Sequence, residues 1–123
     1  MFVDLEPDEA RLLLNIALMA IGGNRFQSAE TILSALDRFR PDDESLATAR
    51  AVMMMSAQDF QGAVDFIDRT GLVKHPHSAM LQAFKGMAYL RMERLKEARE
   101  PLLAAANQTA DQAAANLAKD LLQ

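Results

Sequence analysis

The feature that most constrains this chain is a short pattern that occurs three times at nearly constant spacing. The segments NRFQSAETIL (24–33), QDFQGAVDFI (58–67) and ERLKEAREPL (93–102) each place an alanine three residues after a large apolar residue. These alanines, at positions 29, 63 and 98, recur at intervals of 34 and 35 residues. Such a recurrence indicates stacked copies of one small unit, because a single unit cannot bury its apolar face alone.

The composition indicates that the units are helical. Alanine, leucine, glutamine, glutamate and methionine are frequent, and no segment sustains the alternation of a strand. We therefore expect an all-α chain. Helix boundary signals divide it into pieces of about a dozen residues. These signals are Pro7 with Asp8 and Glu9, Gly22-Gly23, Asp42 and Asp43 after Pro41, His77 or Ser78 after Pro76, and Thr109 with Gln112 as a capping box.

A period of 34 residues is that of the tetratricopeptide repeat, a helix–turn–helix unit, and the chain resembles this family at further positions. Small residues precede the recurring alanines by twelve positions, large residues follow them by four, and a proline follows the first alanine by twelve. The matching residues are Ala17, Ala51 and Gly86, then Leu33, Ile67 and Leu102, then Pro41.

The resemblance implies a right-handed, all-α solenoid of three repeats, at about 8–41, 42–76 and 77–107, within a single domain 1–123. A helix at about 109–122 is expected to cap the last repeat. The alternative is an irregular helical bundle in which the pattern recurs by chance.

The chain also departs from the pattern of the family. Lys85 stands where the repeat prefers leucine, Thr70-Gly71 is expected to end the second helix of its repeat early, and Pro101 is expected to kink a helix. The usual turn glycine is replaced in all three repeats, by Asn24, Gln58 and Glu93.

In the family, the first helix of each repeat lines a concave surface, so the resemblance implies which side chains face a ligand. Nearly all of them are apolar here, and several are methionines, which adapt their shape to a partner. A groove of this kind suits an amphipathic helix. The implied residues are Leu14, Leu18, Ile21, Thr48, Val52, Met55, Met80, Ala83, Phe84, Met87 and Leu90.

Two alternatives remain for this surface. The residues could be core, covered by the N- or C-terminal segment, or they could be covered by a second copy of the chain in a homodimer. The positions of three consecutive methionines within the repeat place them in different surroundings. Met53 is expected to face the preceding repeat, Met54 the second helix of its own repeat, and Met55 the groove.

Several functions are not expected from this sequence. The net charge is −4 and the basic residues are scattered, which argues against nucleic-acid binding. No run approaches the roughly 18 apolar residues of a membrane span, and the acidic N-terminus does not resemble a secretory signal, so a cytoplasmic protein is expected. The chain has no cysteine, its histidines His75 and His77 flank a loop proline, and no catalytic constellation is apparent. We expect no enzyme activity, cofactor or metal.

Small free-standing proteins of this description resemble the tetratricopeptide chaperones of bacterial type III secretion, in particular those that shield the needle subunit. The resemblance implies a concave groove that holds the C-terminal helix of that subunit, often with a second small helical co-chaperone. The alternatives are a chaperone of the translocator proteins in the same systems, and a scaffold or regulatory module of an unrelated assembly.

Overall fold

The computed structural model describes residues 6–123, and within this range all regular structure is helical. Residues 1–5, on which the prediction about the secretory signal partly rests, lie outside the described residues. None of the helices in this range is long and apolar enough to cross a membrane. The helices are α1 (Pro7–Gly22), α2 (Phe26–Phe39), α3 (Glu44–Ser56), α4 (Phe60–Phe66) with a π turn (Ile67–Gly71) and a one-turn α5 (Leu72–Lys74), α6 (Ala79–Arg91), α7 (Leu95–Ala106) and α8 (Gln112–Leu122).

The predicted helix boundaries are confirmed at α1, α3 and α6. Asp43 caps α3 by accepting a hydrogen bond from the Ser45 backbone N–H at 2.8 Å, and Ser78 caps α6 in the same way. The predicted start of the last helix is wrong. The residue that caps α8 is Asp111, whose carboxylate accepts from the Ala114 N–H at 3.0 Å, so α8 begins at Gln112 and not near Thr109.

Three connections between helices have the same length and the same backbone geometry. Each contains three residues, at 23–25, 57–59 and 92–94. The middle residues Asn24, Gln58 and Glu93 have φ values of 61°, 63° and 61°. The next N–H in each turn bonds the carbonyl oxygen five residues back, as Arg25 does to Ala20 at 2.7 Å. This pattern is the Schellman motif, which stops a helix and reverses the chain.

Small residues allow the two helices of each pair to approach closely. Ala17 and Ala51 are completely buried, and Gly86 is buried at the equivalent position in α6. A Cβ atom on Gly86 would lie 2.4 Å from the Leu102 side chain and 3.3 Å from the Ala98 carbonyl oxygen. These positions are the ones at which the repeat pattern predicts the closest helix contacts.

The second hairpin differs from the other two because its second helix contains a π turn. The helix does not end at Thr70-Gly71, as the sequence predicts, but continues to Lys74. Within the π turn the Leu72 N–H bonds the Ile67 carbonyl oxygen, five residues back. A π turn accommodates one extra residue in a helix. It therefore accounts for the second repeat interval of 35 residues in place of 34.

Neighbouring hairpins contact each other in chain order. α3 packs against α1 and α2 on one side and α6 on the other, and α8 packs against α6 and α7. The side of α8 away from these contacts is polar, with Gln112, Asn116, Lys119 and Asp120 exposed. The described chain is thus a series of helix pairs with a polar helix over the last one.

Ion pairs connect successive helices of this series. Arg50 of α3 binds Glu30 at 2.7 Å and Asp37 at 2.6 Å, both on α2. Hydrogen bonding from Arg50 holds the pKa of Glu30 below its ordinary value. Lys85, which departs from the family pattern, pairs with Asp68 of the π turn at 2.8 Å. The departure at Lys85 is therefore explained by a contact between hairpins.

One pair of glycine substitutions tests the close helix contact. Gly86→Ala should lower the free energy of unfolding by about 1–3 kcal/mol, because Leu102 is buried and has no space to yield. Gly22→Ala is the matched control: a Cβ atom there meets nothing within 4 Å, and alanine should raise stability by about 0.5 kcal/mol. Urea denaturation measures both. If both substitutions lower, or both raise, the free energy of unfolding, the close contact at Gly86 is contradicted.

The pKa of Glu30 gives the stability a defined pH dependence. A carboxyl group whose pKa is lowered by folding stabilises the folded state above its unfolded pKa and loses this contribution as the pH falls through the folded value. Arg50→Met should therefore cost more stability at about pH 7 than at about pH 3.5. Urea denaturation at the two pH values is the measurement, with Glu30→Gln as a second variant. An equal loss at both pH values would show that the ion pair does not stabilise the fold.

Candidate functional site

Most of the predicted ligand-facing residues line two adjoining hollows between α3 and α6. We call these hollows together the groove. The first has a volume of about 310 Å³ and the second about 240 Å³. Val52 and Phe84 border both, so the groove is continuous. The first hollow is lined by Leu14, Leu18, Ser45, Thr48, Ala49, Val52, Met80 and Phe84, and the second by Val52, Met55, Ser56, Phe60, Phe84, Met87 and Arg91.

The helices place these side chains through regular spacing. On α3 the groove residues Thr48, Val52 and Met55 are separated by four and three positions, and Met80, Phe84 and Met87 repeat this spacing on α6. Residues at such intervals share one face of a helix. The two stripes face each other, and α1 forms a further wall through Leu14 and Leu18.

Three of the eleven predicted residues lie elsewhere. Ala83 is completely buried in the cluster formed with α7 and α8, and Leu90 packs against the same cluster. Ile21 is 2% exposed and belongs to the core.

The surroundings of α6 explain the errors at Ala83 and Leu90. They are the equivalents of Thr48 and Met55 in the preceding repeat. Other equivalent positions, such as Val52 and Met87, border the groove from both helices. Ala83 and Leu90 instead belong to the part of α6 that packs against α7 and α8.

The sequence interpretation also missed five groove residues. Arg91 could have been found, because it continues the α6 stripe four positions after Met87. Phe60 was recognised only as a signature position of the repeat, yet its ring borders the second hollow. Ser45 and Ser56 lie at the two ends of the α3 stripe, and the buried Ala49 lies between them on the same helix.

Most of the side chains that line the groove are apolar. Its methionine, leucine, valine and phenylalanine side chains are partly exposed, and Leu18 is 39% exposed. Arg91 is the only ionisable residue among those that line it. Such a surface gains free energy when an apolar partner displaces water from it, at about 25 cal/mol per Å².

The three consecutive methionines occupy different surroundings. Met53 packs against the cluster formed by α1, α2 and the first half of α3, as expected for a residue that faces the preceding repeat. Met55 borders the second hollow. The position of Met54 against α4 stays a prediction.

A separate hollow in the surface, at the ends of α2 and α5, is bordered by several charged side chains. Asp42, Arg50, Lys74 and His75 all border it. Lys74 donates to Asp42, and this hydrogen bond holds the pKa of Asp42 below its ordinary value. Because the charges of Asp42, Arg50 and Lys74 are paired within the chain, we interpret these residues as a connection between hairpins.

Comparisons of the chain with models of known families, with curated proteins and with solved structures gave no significant match. Any function assigned to the groove therefore depends on its own geometry and on the sequence pattern.

A pair of charge substitutions tests whether the groove is surface or core. Met87→Glu should reduce the free energy of unfolding by about 1 kcal/mol or less, because the new carboxylate can remain in water. Ala83→Glu, four positions away, should unfold the protein because it buries a charge within the α6–α8 cluster. Thermal unfolding followed by circular dichroism compares the two. If Met87→Glu unfolds the protein as well, the groove is core.

Proposed function

We propose that this chain is a tetratricopeptide-like binding protein whose groove holds the apolar face of an amphipathic helix from a partner protein. The single observation that carries the proposal is the continuous groove, to which four helices, α1, α3, α4 and α6, contribute apolar side chains. Eight of its lining residues are those that the repeat phase selects. They are Leu14, Leu18, Thr48, Val52, Met55, Met80, Phe84 and Met87.

The size of the groove supports a helical occupant. From Met80 to Arg91 the groove follows twelve residues of α6, and the eleven steps between them at 1.5 Å each make about 16 Å, or three helical turns. An occupant of the same length could present apolar residues at positions i, i+3, i+4 and i+7. Methionine at three groove positions lets the surface adapt to side chains of different shapes.

Three features support the repeat architecture within this proposal. The Schellman turns are alike in all three hairpins, small residues occupy the equivalent close contacts, and α8 presents a polar outer side. A stack of repeats needs such a polar terminal unit to remain in solution. α8 contacts α6 and α7 and borders neither hollow, so the described C-terminal helix does not cover the groove.

The more specific form of the proposal is a chaperone for a type III secretion needle subunit in the bacterial cytoplasm. This form depends on the sequence resemblance. A subunit that polymerises through amphipathic helices needs its apolar face covered before export, and the apolar groove could provide this cover. The alternatives are a chaperone of the translocator proteins in the same systems and a general scaffold or regulatory module.

A matched pair of valine substitutions tests the proposed function. The probe is a fluorescently labelled peptide that corresponds to the C-terminal helix of a needle-type subunit. Val52→Glu should weaken its binding at least thirtyfold, about 2 kcal/mol, because a carboxylate would be desolvated in the groove. Val73→Glu introduces the same charge at a position that is 69% exposed and outside the groove, and should change binding less than twofold.

The other outcomes discriminate between the alternatives. Equal binding by both variants would reject the groove as the binding site. A peptide that fails to bind, while unrelated amphipathic helices bind in a Val52-dependent manner, would reject the needle chaperone and retain the binding module. A homodimer that Val52→Glu dissociates would show that a second copy covers the groove.

A further inference from the structure

The groove carries one fixed charge, at the end of its α6 stripe. Arg91 follows Met80, Phe84 and Met87 at helical spacing and borders the second hollow. Its guanidinium carbon lies 5.1 Å from the centroid of the Phe60 ring, which also borders this hollow. A cation at this distance is attracted to the face of the ring. Phe60 therefore holds the guanidinium at the edge of the groove.

The cation at this edge has no carboxylate partner within residues 6–123. The ion pairs found in this range involve Arg50, Lys74, Lys85 and Arg94, and none involves Arg91. Stacking on an aromatic ring occupies the face of a guanidinium and leaves the N–H groups in its plane available. Those groups form paired hydrogen bonds with a carboxylate.

We propose that the partner of the groove is a helical segment that carries a glutamate or aspartate beside one end of its apolar face, where it pairs with Arg91. This inference rests on the proposed function and specifies the chemistry of the partner. The apolar stripe supplies most of the binding free energy, and the charge pair determines the register and direction of the helix in the groove. Charge complementarity of this kind contributes to specificity more than to affinity.

Arg94 provides a matched control within the same chain. Its guanidinium carbon lies 5.3 Å from the centroid of the Tyr89 ring, so it too is an arginine stacked on an aromatic side chain. It pairs with Glu97 on α7 and borders neither hollow of the groove. If binding depended only on the total positive charge, substitution of either arginine would weaken it equally. If the partner contacts Arg91 specifically, only substitution of Arg91 weakens binding.

A library of displayed helical peptides tests this inference without knowledge of the natural partner. The peptides have leucine fixed at i, i+3, i+4 and i+7, and the flanking positions vary among glutamate, glutamine, lysine and alanine. Selection on the wild-type protein, followed by removal of peptides that still bind Val52→Glu, should enrich glutamate at one flank. Arg91→Glu should weaken these peptides at least tenfold, and a lysine in place of the glutamate should restore their binding to that variant.

Two further variants serve as controls for Arg91→Glu. Arg94→Glu should change the affinity less than twofold, and Arg91→Gln should give an intermediate loss with wild-type thermal stability. If selected peptides depend on Val52 but bind Arg91→Glu as well as wild type, the carboxylate inference is wrong while the binding function stands. If no selected peptide depends on Val52, both proposals are wrong.

Discussion

The close contact between the two helices of each hairpin is the constraint on which the rest of the structure depends. In the third hairpin, Gly86 leaves no space for even a methyl group between α6 and the Leu102 side chain of α7. Ala17 and Ala51 are completely buried at the equivalent positions of α1 and α3. With this contact and a three-residue turn, the orientation of each helix pair is determined. The remaining faces of α3 and α6 are then available to form the groove.

Much of the fold could be predicted because its determinants are local. Pro7, Asp43 and Ser78 act within one helical turn of where they stand, and the repeat interval locates the three hairpins. The replaced turn glycines did not prevent the prediction, because Asn24, Gln58 and Glu93 adopt the left-handed conformation that glycine favours. The errors have a different origin. Ala83 and Leu90 pack within a cluster formed with α7 and α8, and the repeat pattern indicates neither this cluster nor the π turn.

Four basic residues fall into two groups with different roles. Arg50, Lys74 and Lys85 pair with carboxylates of neighbouring segments and connect the hairpins. Arg91 stands at the edge of an apolar surface and stacks on Phe60. This division explains why the hollow at the ends of α2 and α5 is a poor candidate for a binding site: Asp42, Arg50 and Lys74 already have charged partners within the chain. The groove is the better candidate because binding replaces water that contacts apolar side chains.

The methionines of this chain allow the most direct measurement of the central claim, that the groove is a binding surface. The chain contains eight methionines, of which Met55, Met80 and Met87 border the groove, whereas Met19 is 75% exposed elsewhere. Nuclear magnetic resonance of protein with ¹³C-labelled methionine methyl groups can follow each of them as an amphipathic helical peptide is added. The account predicts that the signals of Met55, Met80 and Met87 shift and that of Met19 does not. A bound peptide that shifts Met19 and leaves the three groove signals unchanged would contradict it.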